Sequence, residues 1–158
     1  MTLQIETLDA KAVDDLRRRL RGAPLRPGEE GYDEASRAWN LNAHQHPAVV
    51  VLADGAEDVV AAVRFARDAG LGVGVMATGH GVGTPADGGV LINTSRMRGV
   101  RVDPVLRTAR VEAGALWKDV IQKAHEHGLA TLTGSAPTSA SSATRWAAAS
   151  AGWDVSTA

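Results

Sequence analysis

The chain has no cysteine in its 158 residues, which excludes disulfides, thiolate metal sites and cysteine nucleophiles. No apolar run approaches the length needed to span a membrane. The N-terminus, MTLQIETLDAKAVDDLRRRL, lacks the apolar core of a secretory signal. A formal net charge of −1 gives no broad field to attract nucleic acid or an anionic membrane. Lysine is scarce, 3 against 14 arginines, and with abundant Ala, Gly and Val this bias suits codons rich in G and C. These absences lead to the expectation of a cytoplasmic protein with neither nucleic acid nor membrane among its partners. What is present is ordinary for a globular chain. An apolar share of 44% can fill a core, and the length fits one domain or part of one.

Leu8, Val13, Leu16 and Leu20 recur at helical spacing. Arg17, Arg18, Arg19 and Arg21 lie mostly outside that stripe and read as a solvated face. Pro24, Pro27 and Gly28 stop this helix, and a loop containing GYDEASRAWN follows. AVVVLA, Ala48 to Ala53, has the length and composition of a buried strand. Asp54 with Glu57 resembles a capping box for the next helix, which is expected to turn Val59, Val63 and Ala66 inward and to end at Gly70. LGVGVMA, Leu71 to Ala77, is a second strand, completing a βαβ unit. A third strand is expected at VLINT, Val90 to Thr94. GVRVD and TARVEA form a hairpin around Pro104. A last helix runs from about Ala115 to His127, with Leu116, Val120 and Ala124 inward and Gly128 beyond its end. ATLTG is read as a short strand.

Gly79, Gly81, Gly83, Gly88 and Gly89 crowd the segment after the second strand. Such a loop can turn backbone N–H groups toward an anion without side chains intervening, and a phosphate or pyrophosphate is its natural guest. The plainer reading is a long hairpin loop. Gly81, Gly83 and Ala86, with Asp103 further on, formally match the fingerprint of an NAD-dependent Rossmann dehydrogenase. That fingerprint must open a helix, whereas Pro85, Asp87, Gly88 and Gly89 follow here. His80 lies between two glycines, open to close approach by a planar ligand, and its imidazole can act as nucleophile, base or metal ligand. His44 with His46 and His125 with His127 form two H-x-H pairs, but no carboxylate cluster joins them, so no metal site is expected. Trp39 and Trp117 read as core or interface packing.

In order along the chain stand RAWN, HPAVVVLADGAEDVV, MATGHGVG, DGGVLINTSRM, VDP, TARVEAGALWKDV and HGLATLTGSAP. Together these resemble the PCMH-type FAD-binding domain of the vanillyl-alcohol-oxidase and berberine-bridge-enzyme flavoproteins. The resemblance implies an α+β fold, of which the chain carries a first βαβ-containing lobe and the start of a second. It divides the sequence into an N-terminal helix and loop over 1–31, a partial FAD-binding domain over 32–137 and a tail over 138–158. It also implies that the turn Ala77, Thr78, Gly79, His80, Gly81 wraps the FAD pyrophosphate with backbone N–H groups, and that Gly134 and Ser135 contact the cofactor. His80 matches the histidine that many members bond to the flavin 8α-methyl. Some members carry a second, cysteinyl link near GSAP; with Ala136 there and no cysteine, that link is excluded. Hydride transfer from a small organic substrate to FAD, usually with re-oxidation by O2, is the implied activity of the full-length parent. Substrate walls and bases lie mostly in a downstream domain to which nothing here corresponds, so no catalytic residue is assigned and this chain is expected to be an inactive fragment. A non-catalytic nucleotide- or anion-binding module is the alternative.

From Thr138 to Ala158, 15 of 21 residues are Ala, Ser or Thr. Where family members continue with a glycine-rich segment, this chain has TSASSATRWAAASAGW. Read one base early from the Pro137 codon, serine codons become those for Val, Leu or Ile, and alanine codons often become Gly. With suitable third bases the tail becomes HVGVVGYTLGGGIGWLGRFDG. The tail is therefore read as the glycine segment in the wrong frame, with a disordered Ala/Ser linker as the alternative.

Overall fold

The computed structural model describes residues 8–80, 84–131 and 136–140, which fall into two compact units, one ending at Thr94 and one beginning at Ser95. The first unit is built on a four-stranded sheet of β1 (Ala23–Leu25), β2 (Val49–Leu52), β3 (Val73–Met76) and β4 (Val90–Asn93), in the order β1-β2-β4-β3. β2, β4 and β3 are mutually parallel, with Val49 opposite Val90 and Val90 opposite Val73. β1 pairs antiparallel to β2. Helices α1 (Ala10–Arg17), α2 (Tyr32–Ser36) and α3 (Ala56–Asp68) complete this unit.

β4 is an interior strand between β2 and β3, and all four of its residues are buried. β2 and β3, joined through α3, have the expected parallel βαβ sense, but β4 is inserted between them. The connection from β3 to β4 is a parallel crossover, which excludes the plain hairpin loop. Alternation along the strands sends Val50, Leu91 and Met76 into one cluster with Tyr32 and Ala35 of α2 and with Ala86. Val49, Val51, Val90 and Ile92 are fully buried on the other face. A Cβ on Gly74 would lie 2.7 Å from the Ala86 Cβ, so the close approach of the crossover to β3 requires glycine there.

Several expectations are corrected. The first helix ends at Arg17, and Pro24 lies inside a strand instead of merely stopping a helix. A strand tolerates that proline because β1 is an edge strand, where a missing N–H need not face a neighbour. GYDEASRAWN is not all loop, since α2 occupies Tyr32–Ser36. In α3 the buried positions are Asp58, Ala62 and Ala66, while Val63 is 45% exposed. The helix starts after Gly55, with no side-chain cap. Asp58, one residue beyond the expected Glu57, reaches back to accept the Asp54 N–H at 2.8 Å. Glu57 instead pairs with Arg21 at 2.6 Å. The arginine-rich end of α1 is a solvated face as expected: Arg17 pairs with Asp14, Arg18 with Asp15.

In the second unit β5 (Val100–Asp103) and β6 (Thr108–Val111) form the expected antiparallel hairpin. Asp103 Oδ1 sets its turn by accepting the N–H groups of Val105 and Leu106 at 3.0 and 2.9 Å. Helix α4 (Trp117–His125) buries Val120 and Ala124, two of its three expected inner residues, with Leu116 as N-cap. The Trp117 and Lys118 N–H groups donate to the carbonyls of Ser139 and Pro137 at 3.1 and 2.9 Å. Ala140 bridges to Leu116. Ala130 and Thr131, expected to begin a strand, belong to none; the rest of that segment lies outside the described residues.

Candidate cofactor site

β2, β4 and β3 end on the same edge of the sheet because they are parallel. In open parallel sheets that carboxyl edge is where ligands bind. The chain leaves β3 there through Ala77, Thr78, Gly79 and His80. Gly79 has φ of +73°, a conformation that glycine adopts without strain. A Cβ on it would also lie 2.7 Å from the Trp39 nitrogen. The Gly79 carbonyl accepts the Trp39 N–H at 3.2 Å, closing the turn against the segment that follows α2.

That segment is held by buried polar groups. Asn93, at the end of β4, donates its amide to the Ala35 carbonyl at 2.8 Å. Gln45 donates to the Ser36 carbonyl at 2.7 Å. The Tyr32 hydroxyl donates to the Pro47 carbonyl at 2.6 Å. Burial pushes the Tyr32 phenol above its ordinary pKa, and the charges of Asp33 and Asp87 add to the shift, so it remains a neutral donor. Thr94 caps the edge by donating its N–H to the Met76 carbonyl at 2.8 Å.

The imidazole of His80 is half-buried and stacked on the Trp39 indole, with ring centroids 4.6 Å apart and planes inclined by 18°. Its Nδ1 lies 3.2 Å from Thr78 Oγ1. Among the described residues no acceptor takes a hydrogen bond from the backbone N–H of Ala77, Thr78, Gly79 or His80. Among the described residues the turn thus offers N–H donors without an acceptor, beside an oriented imidazole, at the mouth of a parallel sheet, a donor set suited to a phosphate group. Thr131 Oγ1, close in sequence to Gly134 and Ser135, is a buried hydroxyl without a partner among the described residues.

A profile of the FAD binding domain family matches residues 47–152. The chain belongs to this family. The cofactor of the domain is FAD. An FAD-linked oxidoreductase of Dictyostelium discoideum is 31% identical over 123 residues, covering 77% of this chain and 27% of that protein. The (R)-6-hydroxynicotine oxidase of Paenarthrobacter nicotinovorans is 30% identical over 120 residues, covering 75% and 26% respectively. Among solved structures, 6-hydroxy-D-nicotine oxidase from Arthrobacter nicotinovorans superimposes with a TM-score of 0.71 at 28% identity, covering 77% of this chain and 27% of that one. The chain therefore spans about a quarter of the length of the relatives it matches.

For this FAD-binding domain, the expected α+β class is observed. Ala77, Thr78, Gly79 and His80 occupy one turn. Gly81, Gly134 and Ser135 lie outside the described residues, as do all but three residues of the tail. The NAD-type fingerprint fails: residues 84–89 form no helix, β4 begins at Val90, and Ala86 is a core residue. His44 and His46 are exposed on either side of buried Gln45, and among the described residues no cluster suited to a metal occurs. Of the two roles expected for Trp39, core packing is corrected. At 66% exposure it is not core, and its contact is with His80. The sequence did carry a signal, since RAWN is part of the family resemblance, but nothing in its spacing connects residue 39 to residue 80. Among the described residues no helix is long and apolar enough to cross a membrane.

Proposed function

We propose that the turn Ala77–Gly81 holds the FAD pyrophosphate, that Gly134 and Ser135 also contact FAD, and that His80 is the residue bonded covalently to it. The observation that carries this reading is the Gly79 turn at the carboxyl edge of the parallel strands, with its N–H donors that find no acceptor among the described residues and its stacked imidazole. In the proposed site those donors bind the diphosphate, Thr78 and Trp39 orient His80, and the buried amides of Asn93 and Gln45 keep the Trp39 segment in place. When bound, FAD supplies hydride acceptance from a C–H next to oxygen or nitrogen, with O2 as the usual final oxidant. The parent activity is oxidation of a small organic molecule in the cytoplasm, a substrate class supported by the relative named for 6-hydroxynicotine.

Titration of the purified chain with FAD, followed by flavin fluorescence, is expected to show weak but saturable binding, because the chain spans only about a quarter of its relatives. After acid precipitation of the full-length, frame-corrected protein, flavin should stay with the wild-type pellet and leave with the supernatant in His80→Ala. Absence of saturable binding sinks the assignment of the turn Ala77–Gly81 to the pyrophosphate. Acid-stable flavin in His80→Ala removes that residue from the linking role and leaves the pyrophosphate turn standing.

The proposal includes the division at Pro137. Residues 138–158 are the glycine segment of this domain read one base out of frame. What supports it is the rhythm of the tail, in which Ser, Ala and Trp positions shift to codons for Val, Gly and Leu. The nucleotide sequence across codon 137 tests this: the alternative frame must encode a peptide of the form HVGVVGYTLGGG, and a stop codon or unrelated peptide there ends the idea.

A further inference from the structure

Trp39 presents a physical puzzle. It is a large aromatic side chain left 66% exposed, yet its ring is not free, because one face lies along the His80 imidazole. Its backbone is fixed by the bond from its N–H to the Gly79 carbonyl at 3.2 Å. The residues just before it are tied to β4 through Asn93 and to the loop before β2 through Gln45. The indole is thus a rigid plate delivered by a buried scaffold, and what it touches is the ring of His80. Thr78 Oγ1, 3.2 Å from Nδ1, restrains rotation of the imidazole within its own plane. The indole restrains the tilt of that plane.

We infer that Trp39 is a positioning residue of the cofactor site, fixing the plane of the His80 imidazole before FAD arrives. The inference rests on the reading of Ala77–Gly81 as the FAD turn. Without the indole, a histidine following a left-handed glycine would sample several rotamers, and ordering it would reduce binding affinity.

The test uses the full chain without cofactor and then with it. The indole ring current should move the His80 Cε1 and Cδ2 proton signals upfield of those of exposed His44. Trp39→Ala should abolish that shift, and Trp39→Phe should keep part of it. Trp39→Ala is expected to weaken FAD binding by about tenfold, and Trp39→Phe by no more than about threefold. Thermal midpoints of both variants should match wild type, since an exposed ring leaves no core cavity. His80 signals unmoved by Trp39→Ala overturn the inference. So does wild-type FAD affinity in Trp39→Ala, while the FAD reading survives. Failure of the wild-type chain to bind FAD, with the His80 shift still present, overturns the FAD reading and the inference with it.

Discussion

Asp58 shows how far a single residue can act beyond its own helix. It is 1% exposed and accepts the N–H groups of Arg21, Gly22 and Asp54 at 2.9, 3.1 and 2.8 Å. Burial raises its pKa, but these three backbone donors, helped by the Arg21 charge, outweigh burial and hold the carboxyl below its ordinary range. Asp58→Asn loses the charge and part of this acceptor capacity. At pH 7 it should cost about 2 kcal/mol, read from the urea midpoint. Because the folded pKa is depressed, the carboxylate's contribution is complete above the unfolded value of about 3.9. It disappears as pH falls through the lower folded value. The stability gap between wild type and Asp58→Asn should therefore be constant down to about pH 4 and narrow below it. A gap that widens in acid would contradict this. The sequence placed the helix start within a few residues but selected Glu57, because the donors from Arg21 and Gly22 come from a segment far away in the chain.

At the scale of elements, periodicity found α3 but misjudged its rotation. Val59, Val63 and Ala66 form a plausible stripe by hydrophobicity; the buried one is Asp58, Ala62 and Ala66, so Ala66 is shared and the other two positions lie one residue earlier. Small alanines suit a helix lying close to a sheet whose residues on the opposing positions are Val and Ile. Val63→Ser should then change stability by less than about 0.5 kcal/mol. Leu91→Ala, in the interior strand β4, should cost about 3 kcal/mol. Equal urea midpoints for these two variants would refute the placement of the helix. β1 escaped the sequence reading for a related reason. A three-residue strand containing Pro24 gives no alternation to detect, and only pairing with Val51 makes it a strand.

At the scale of the molecule, the order of strands decides where the site is. β4 lies between β2 and β3, so Met76 and Asn93 end side by side, and the turn carrying His80 emerges at an edge already shaped by Thr94 and Ala53. The glycine-rich segment therefore functions as a crossover between parallel strands, which the string TGHGVGTPADGG alone did not distinguish from a hairpin. The reading of the tail belongs to the same scale. A protein encoded in the alternative frame after codon 137 should bind FAD more tightly than the chain ending in TSASSATRWAAASAGW, measured by the same fluorescence titration. Equal affinities would mean that the glycine segment adds nothing to the grip on the cofactor.

The sequence by itself determined the family, the cofactor, the βαβ unit of β2, α3 and β3 and the turn Ala77–His80, because these rest on local composition and on motifs in fixed order. Glycine at position 79 and histidine at position 80 are legible in one dimension, since a left-handed turn and a nucleophilic ring are properties of single residues. The tertiary structure decided which groups meet. The stacking of Trp39 on His80, the three backbone donors converging on Asp58 and the insertion of β4 between β2 and β3 join segments remote in the chain. Contacts of that kind depend on how elements pack in space, and no spacing along a single chain encodes them.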